Sequence, residues 1–439
     1  MTANSFAFYY GAVIWMLLYL FSMRRKPMGA TFFFIVFVLF FHAFAYPYYI
    51  YIWTEQLGFG LLQDFVISFP DLVPKVTLAM ALCYSFILLG CHAGDIAFGA
   101  ISTQRLGIDT IKPSIIAAAN MKTMLTLVSV CELLLLSLLI LQYAFVASPT
   151  ALFDYYLSDL GSSERVAIRR TETLSFYIPA ILHLTVMPML LFIVFIEALK
   201  SKSTYLKHRA FRFGALLVLL KLSTFSKAAP ALILIQLLFC KYLYSRQTLA
   251  FSLRYVRFGL IALGIAFGFV FIVRGESVDM ETAFDDYFYR LLMIPNEGIF
   301  EYFNAIPDYF PFGYGSGLGV ITELFGDARG TGQNLPTYNL VASVYRHDYD
   351  TVVNSFFIAE AWAQFSWGGV VVLSFMAGLL VKWYDSETAK LKNSSIRVGM
   401  VVFSVYGTYA LSTSAITTAL ITGGLFIIPI FARFLDSKL

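Results

Sequence analysis

Residues 123–146 read TMLTLVSVCELLLLSLLILQYAFV, an apolar run whose single charge is Glu132. An α-helix rises ~1.5 Å per residue, so roughly 20 apolar residues cross a ~30 Å hydrocarbon core. The run therefore predicts a transmembrane helix. A carboxylate within it is costly unless it is paired or faces a cavity, and Lys221 in a later run poses the same problem.

Similar runs occupy 5–22, 30–52, 76–98, 174–197, 213–226, 229–244, 257–273, 356–381, 396–412 and 416–434. Together they predict an all-α polytopic membrane protein with about eleven spans. Two of the runs, 213–226 and 229–244, are short and are separated only by Lys227-Ala228. Composition agrees, with 59% hydrophobic and 13% charged residues against the ~25% charged of a soluble domain. Met1 to Ser5 lacks a basic segment and Arg24-Arg25-Lys26 follows the first run, so that run reads as a span and not as a cleavable signal. Cys83, Cys91, Cys131 and Cys240 lie in or beside apolar runs with no CxxC pair, which reads as small buried residues. His42, His92, His183 and His208 have no ligand spacing with another His, Cys or carboxylate, so no metal site is expected. No repeat or low-complexity tract interrupts residues 1–439, which read as one transmembrane domain.

Lysine and arginine set the orientation, because they accumulate on the cytoplasmic side. Arg24-Arg25-Lys26, then Arg105, Lys112 and Lys122, then Lys200, Lys202, Lys207, Arg209 and Arg212 fall on alternate connections. Lys241, Arg246, Arg254 and Arg257, then Lys382, Lys390, Lys392 and Arg397, and finally Arg433 and Lys438 continue the alternation. With eleven spans all of these share the cytoplasmic side, and an error of one helix mid-chain would scramble the pattern. The opposite side carries the acidic segment 53–75, with Lys75 as its one base, and two longer loops, 147–173 and 274–355. Tyr46, Tyr48, Tyr49, Tyr51 and Trp53 cluster where the second span emerges and read as an interfacial aromatic belt.

Positive charge on the outer side runs against the topology rule. In 147–173, Ser162 to Arg170 reads as a short capped helix, on which Arg165 and Arg169 share a face and Arg170 lies about 100° round. Paired guanidinium forks suit a phosphate or pyrophosphate; Glu164 and Glu172 offer the alternative of surface ion pairs. The loop 274–355 holds Arg274, Arg290, Arg329 and Arg346. Arg274 directly follows a span and suits an interfacial anchor equally well, and Arg290 has Asp285 and Asp286 within reach. Pro311 to Gly319 then sets four glycines at alternate positions, a pattern that lets backbone amides approach a ligand and that also occurs in ordinary turns. His347, beside Asp348 and Asp350, is a candidate general base or a plain surface residue. Lys227, at the outer tip of the short helical pair, either reaches an anion or snorkels.

These features resemble the bacterial O-antigen polymerase family (Wzy-type oligosaccharide repeat unit polymerases), relatives of the O-antigen ligases. Arg290 followed by the Pro311-Phe312-Gly313-Tyr314-Gly315 run is similar to the family's arginine-then-GxG pattern. Asn354-Ser355-Phe356-Phe357-Ile358-Ala359-Glu360, then Phe365-Ser366-Trp367-Gly368-Gly369, resembles its asparagine-to-glutamate entry into a helix. Thr224-Phe225-Ser226-Lys227-Ala228 resembles its serine–arginine segment between two short helices, with lysine here. Val353 stands where many members have histidine before the asparagine.

The resemblance implies a GT-C-like, metal-independent glycosyltransferase with two long helical extracytoplasmic loops and no cofactor. It implies joining of undecaprenyl-pyrophosphate-linked oligosaccharides at the outer face of the bacterial inner membrane. Its expected partners are the lipid-linked oligosaccharide, the bilayer and a chain-length regulator protein, with no role for nucleic acid. Arg165, Arg169 and Arg290 are then expected to stabilise the departing pyrophosphate. His347, Asp348 or Glu360 would serve the acceptor hydroxyl as base. Arg170, Arg274, Lys227, Arg346, Asn354, Glu360 and Tyr314 are expected to contact substrate. An O-antigen ligase, and a lipid-linked oligosaccharide flippase or other transporter, are the competing readings. Transporters place functional charge at the midplane and often show pseudo-repeats, neither of which is prominent here.

The orientation makes a direct prediction. A cysteine placed at position 165 should react with a membrane-impermeant maleimide on intact spheroplasts, whereas reaction only after permeabilisation would invert the topology.

Overall fold

A computed structural model of the chain describes residues 2–23, 28–54, 70–99, 118–146, 181–223, 228–246, 287–318, 336–345, 353 and 355–438, with isolated positions between 257 and 268. Every regular element among them is helical. Among the described residues, six helices are long and apolar enough to cross a bilayer: Asn4–Ser22, Ala30–Tyr51, Pro70–Ala97, Met121–Ala144, Leu182–Ser201 and Phe357–Lys390. Large apolar side chains such as Leu18, Phe21, Leu133 and Ile140 stay exposed along these helices, as a surface solvated by lipid requires. All four cysteines are free and buried.

The chain sorts into two compact units. The first comprises residues 1–102, 285–386 and 404–425. It contains α1 (Thr2–Ser22), α2 (Ala30–Val38), α3 (Ala45–Thr54) and α4 (Val73–Ala97), with a π-helical turn Leu39–Phe44 joining α2 to α3. The second comprises residues 103–284, 387–403 and 426–439. It contains α5 (Ala118–Leu141), α6 (Met187–Ser201), α7 (Thr204–Ser223) and α8 (Ala228–Arg246). Returning to the first unit, the chain forms α9 (Ile294–Asp308) and α10 (Thr337–Tyr345). Two long helices follow, α11 (Phe357–Lys390) and α12 (Ser394–Thr413), then α13 (Ile416–Leu420) in the first unit and α14 (Ile427–Lys438) in the second.

In the first unit α4 is held against α11 by two glycines that face each other's backbones. A Cβ on Gly90 would run into the Phe375 carbonyl oxygen, and one on Gly378 into that of Ile87. Gly90 and Gly94 form a GxxxG pair on α4, met on α11 by Phe375 and Leu379 at Gly90 and by Leu379 and Lys382 at Gly94. Small residues at this spacing let helix backbones approach where lipid removes the hydrophobic drive for association. Cys91 Sγ lies 3.6 Å from the Gly378 carbonyl, on the same seam. Further along α11, Lys382 pairs with Asp95 of α4 at 2.9 Å. Asp385 accepts the amides of Ala30 (2.6 Å) and Thr31 (3.1 Å), which satisfies the otherwise open N-terminus of α2.

The aromatic cluster of α3 divides in two. Tyr46 and Tyr49 are buried and pack on Phe300 of α9, whereas Tyr48 and Tyr51 are exposed. Residues three apart share a helix face, so only the second pair is placed as an interfacial belt would be. The Tyr46 hydroxyl donates to Thr77, 2.7 Å away, whose own hydroxyl donates to the Val73 carbonyl.

In the second unit, Glu132 of α5 receives Arg209 at 3.1 Å and Arg212 at 2.7 Å. Both arginines read from sequence as connecting loop; α7 begins at Thr204, ahead of the expected 213, and carries them on its first turns. The carboxylate is thus paired, as its place in an apolar helix requires. Glu197 and Lys200 form a second pair at 3.1 Å, both side chains fully buried, and Lys200 also donates to Ser394 and Ser395 at the start of α12. The expected span 416–434 is interrupted by a turn at Thr422-Gly423-Gly424, where Gly424 takes φ +74°.

The glycine seam predicts that Gly378→Leu prevents close approach of α4 and α11. The variant should lose folded protein after detergent extraction, with a melting-temperature drop equivalent to at least the 1–3 kcal/mol typical of overpacking. Val372→Leu, at an exposed position on the same helix, should be close to neutral.

Candidate functional site

Helix α11 is broken near its start. Phe365 (φ −136°, ψ 19°) and Ser366 (φ 53°, ψ −142°) leave helical geometry, and Ser366 occupies a region that non-glycine residues rarely adopt. Such a break frees carbonyls of the preceding turn, which then need other donors. The glycine-rich run supplies them. Gly313 donates to the Ala363 carbonyl at 3.0 Å and Tyr314 to that of Gln364 at 2.8 Å. Gly315 donates to the Gln364 side-chain oxygen at 3.1 Å. The same Gln364 amide donates to the Thr337 hydroxyl at 2.7 Å, and Thr337 bonds the Gly317 carbonyl through both its amide and its hydroxyl. Tyr314 (φ 47°) and Gly315 (φ 94°) make this turn left-handed. Three amides of the run therefore bond the broken start of α11, and Thr337 ties α10 to both the run and Gln364.

Below this turn lies an aromatic layer. Trp362 stacks on Phe303 with centroids 4.4 Å apart, meets Phe312 edge-on at 5.6 Å, and donates its indole N–H to the Ile306 carbonyl at 2.9 Å. The ammonium of Lys75 sits 4.3 Å from the Trp362 ring centre, a cation–π contact. The Asn304 amide donates to the Tyr345 hydroxyl at 2.6 Å. Burial pushes that phenol up to about 12, while the Asn304 bond pulls the other way, so Tyr345 stays protonated at neutral pH.

Against this layer opens a cavity of about 250 Å³, walled by α9, α10, the entry to α11 and the junction of α12 with α13. Among the described residues lining it, Glu360 is the one carboxylate, with hydroxyls from Ser355, Ser414, Thr418, Tyr302 and Tyr338 around it and Phe356 on one wall. Glu360 is buried, and its Oε2 accepts the Ile416 amide at 3.0 Å, the first N–H of α13. Behind Phe356, stacked on it at 4.2 Å, lies His42. Its Nε2 donates to the Ser412 carbonyl at 2.6 Å and its Nδ1 faces the Asn296 oxygen at 3.1 Å. The Asn296 amide nitrogen is held by the Phe41 and Leu292 carbonyls. His42 and Asn296 sit on or directly after the two π-helical turns Leu39–Phe44 and Tyr289–Met293, a feature frequent at functional sites.

Of the residues expected to act, Glu360 is on the cavity wall and Tyr314 is exposed on the glycine turn. Arg290 falls within the π-helical turn Tyr289–Met293. Arg165, Arg169, Arg170, Lys227, Arg274, Arg346, His347 and Asn354 lie outside the described residues. The sequence reading missed Tyr338, Ser414, Thr418 and His42. The hydroxyl cluster Ser412-Thr413-Ser414 with Thr417-Thr418, between two apolar runs, was the available signal.

Fold and site together define an all-helical, membrane-embedded protein with a carboxylate-bearing cavity in its first unit. No protein-family model, curated protein or solved structure matches the chain.

The stitching role of Gln364 is testable. Gln364→Ala removes the partner of the buried Thr337 hydroxyl and of the half-buried Gly315 amide, and should destabilise the first unit by about 1–3 kcal/mol. Hydrogen exchange should show the Gly315 amide deprotected in the variant while amides in mid-α4 stay protected.

Proposed function

We propose that this protein is a membrane glycosyltransferase that polymerises lipid-linked oligosaccharide repeat units into a surface polysaccharide. In this reading it has about eleven spans in a GT-C-like arrangement in the bacterial inner membrane, with its active side extracytoplasmic. The growing chain on undecaprenyl pyrophosphate is the donor, the outer end of a new lipid-linked repeat is the acceptor, and a chain-length regulator is a partner.

The observation that carries the reading is Glu360. It is the glutamate of the Asn354-to-Glu360 motif by which the chain resembles the polymerases, and it stands on the wall of a cavity rich in hydroxyl and aromatic groups. The reaction asks for such a group. The acceptor hydroxyl oxygen bonds the anomeric carbon of the donor, the bond from that carbon to pyrophosphate breaks, and the pyrophosphate leaves with the electron pair. A carboxylate takes the acceptor's proton. Guanidinium groups of the loops 147–173 and 274–355, Arg165, Arg169 and Arg290 first among them, offset the charge that develops on the leaving group. Neither step requires a metal ion.

Glycan analysis of a deletion strain tests the function. Single repeats on the carrier are expected; full-length polymer left on the lipid carrier would indicate a ligase, and repeats retained on the cytoplasmic face a flippase. In the complemented strain, Glu360→Gln should lower the polymerisation rate by about 10²–10⁴-fold, the contribution of a positioned base. Arg290→Ala should abolish polymer while the protein still inserts. Wild-type chain lengths in both variants would sink the proposal.

A further inference from the structure

Helix α7, in the second unit, carries an exposed face that mixes cations with aromatic rings. At about 100° per residue, Tyr205, Lys207, His208, Phe211 and Arg212 fall within an arc of roughly 160°, and all five are exposed. Leu206, Ala210 and Phe213 lie on the opposite arc and are buried. The rings stand well clear of the protein, Tyr205 at 59% exposure and Phe211 at 78%. Further along the helix the same arc continues as Ala215, Val218, Leu219 and Leu222, with Leu219 exposed. A face that is apolar along its length and cationic at its start matches one leaflet of a bilayer, with acyl chains beside the first part and headgroups beside the second.

Contacts with α5 set the level and the charge of this patch. Arg209 donates to the Leu125 carbonyl at 3.3 Å and to the Ser129 hydroxyl at 2.5 Å. The start of α7 therefore runs beside the first half of α5, toward the end that carries exposed Lys122. Glu132 takes both Arg209 and Arg212. One carboxylate against two guanidiniums leaves positive charge in excess, and Lys207 adds to it. Arg212 binds Glu132 through Nε at 3.3 Å and Nη2 at 2.7 Å, with its side chain 56% exposed. A guanidinium has five N–H donors in a fixed fork, so it can hold the carboxylate and still offer an outward N–H to a phosphate oxygen. Phe211 and Leu219 then give an acyl chain a surface to lie against.

We propose that this face of α7 binds the phosphodiester headgroup of an anionic phospholipid. Lys207, His208 and Arg212 supply the donors, and Tyr205 and Phe211 flank the glycerol and the upper acyl carbons. A bilayer lipid fits better than a free phosphate or an acidic soluble protein, because the cations share their arc with the apolar residues that continue to Leu222. By the lysine and arginine pattern the leaflet is the cytoplasmic one. The lipid site is independent of the reaction proposed for the protein.

Native mass spectrometry of the purified full-length protein in detergent tests it, with phosphatidylglycerol and phosphatidylcholine of identical acyl chains as probes. The tightest-bound lipid should be phosphatidylglycerol, preferred by about fivefold or more. Lys207→Gln should weaken its binding about fivefold, the order of one basic residue at an anionic surface, and Lys207→Arg should bind as the wild type does. Arg212→Gln should weaken it by a similar factor, with the melting temperature followed because Glu132 keeps only Arg209. Lys438→Gln, exposed near the end of the chain, should change nothing. Several outcomes overturn the proposal: equal binding of the two lipids, wild-type binding by Lys207→Gln, or an equal loss in Lys438→Gln. Displacement of the lipid by inorganic phosphate would overturn it in favour of a free-phosphate site. Failure of both lipids to bind would overturn it in favour of an acidic protein partner.

Discussion

The close crossing of α4 and α11 is the constraint on which the first unit depends. In lipid, apolar side chains gain little by leaving one hydrocarbon surface for another, so helices hold together by backbone proximity and by polar links. Gly90 and Gly378 provide the proximity, each facing the other helix's backbone. The polar links follow along the same helix: Lys382 to Asp95, and Asp385 to the amides that open α2. A single helix, α11, thus fixes α4 through its middle and α2 through its far end. Its near end, where Glu360 stands, is free to break helical geometry because the remainder is anchored.

That break organises the site. A straight helix would keep the carbonyls of Ala363 and Gln364 for its own amides; the turn at Phe365-Ser366 releases them to Gly313 and Tyr314. Backbone strain at two non-glycine residues with positive φ is then held by a closed set of hydrogen bonds. Strain of this kind persists only where its surroundings over-determine it. The consequence is a short, rigid first segment of α11 that presents Glu360 to the cavity on one side and Trp362 to the aromatic layer on another.

Much of this was legible in the sequence, and the failures have physical causes. Long apolar runs such as 123–146 and 76–98 return as helices because their length alone satisfies the bilayer. The start of α7 was misplaced because Arg209 and Arg212 read as loop charge; their partner, Glu132, is about 80 residues earlier in the chain, and no local pattern links them. Tyr46 and Tyr49 read as part of an interfacial belt because their composition is that of one; only the position of Phe300 distinguishes the buried face. The glycine-rich run was visible, but its meaning required the break in α11 beside it. Phe365-Ser366-Trp367-Gly368-Gly369 carried a hint of that break in its paired glycines. His42 stayed hidden because a histidine in an apolar run signals nothing until both ring nitrogens are seen to face oxygen.

A group-transfer enzyme with an anionic leaving group has to keep that group away from the base that deprotonates the nucleophile, because each charge would shift the other's proton equilibrium. On the proposed reading the base stands on α11 and the cations on 147–173 and 274–355, the second of which also lines the cavity through Tyr302, Tyr338, Val353 and Ser355. The carboxylate sits near the start of α11, where its orientation is set by the Ile416 amide. The arginines are assigned to the loops 147–173 and 274–355, in which arginine is present and lysine absent. A guanidinium holds its charge at any working pH and grips phosphate oxygens bidentately, so it gains nothing from a buried, tuned setting. A carboxylate base does gain, since its basicity depends on how much water reaches it. Rigid helix for the base and charged loop for the pyrophosphate is the division that the two chemistries favour.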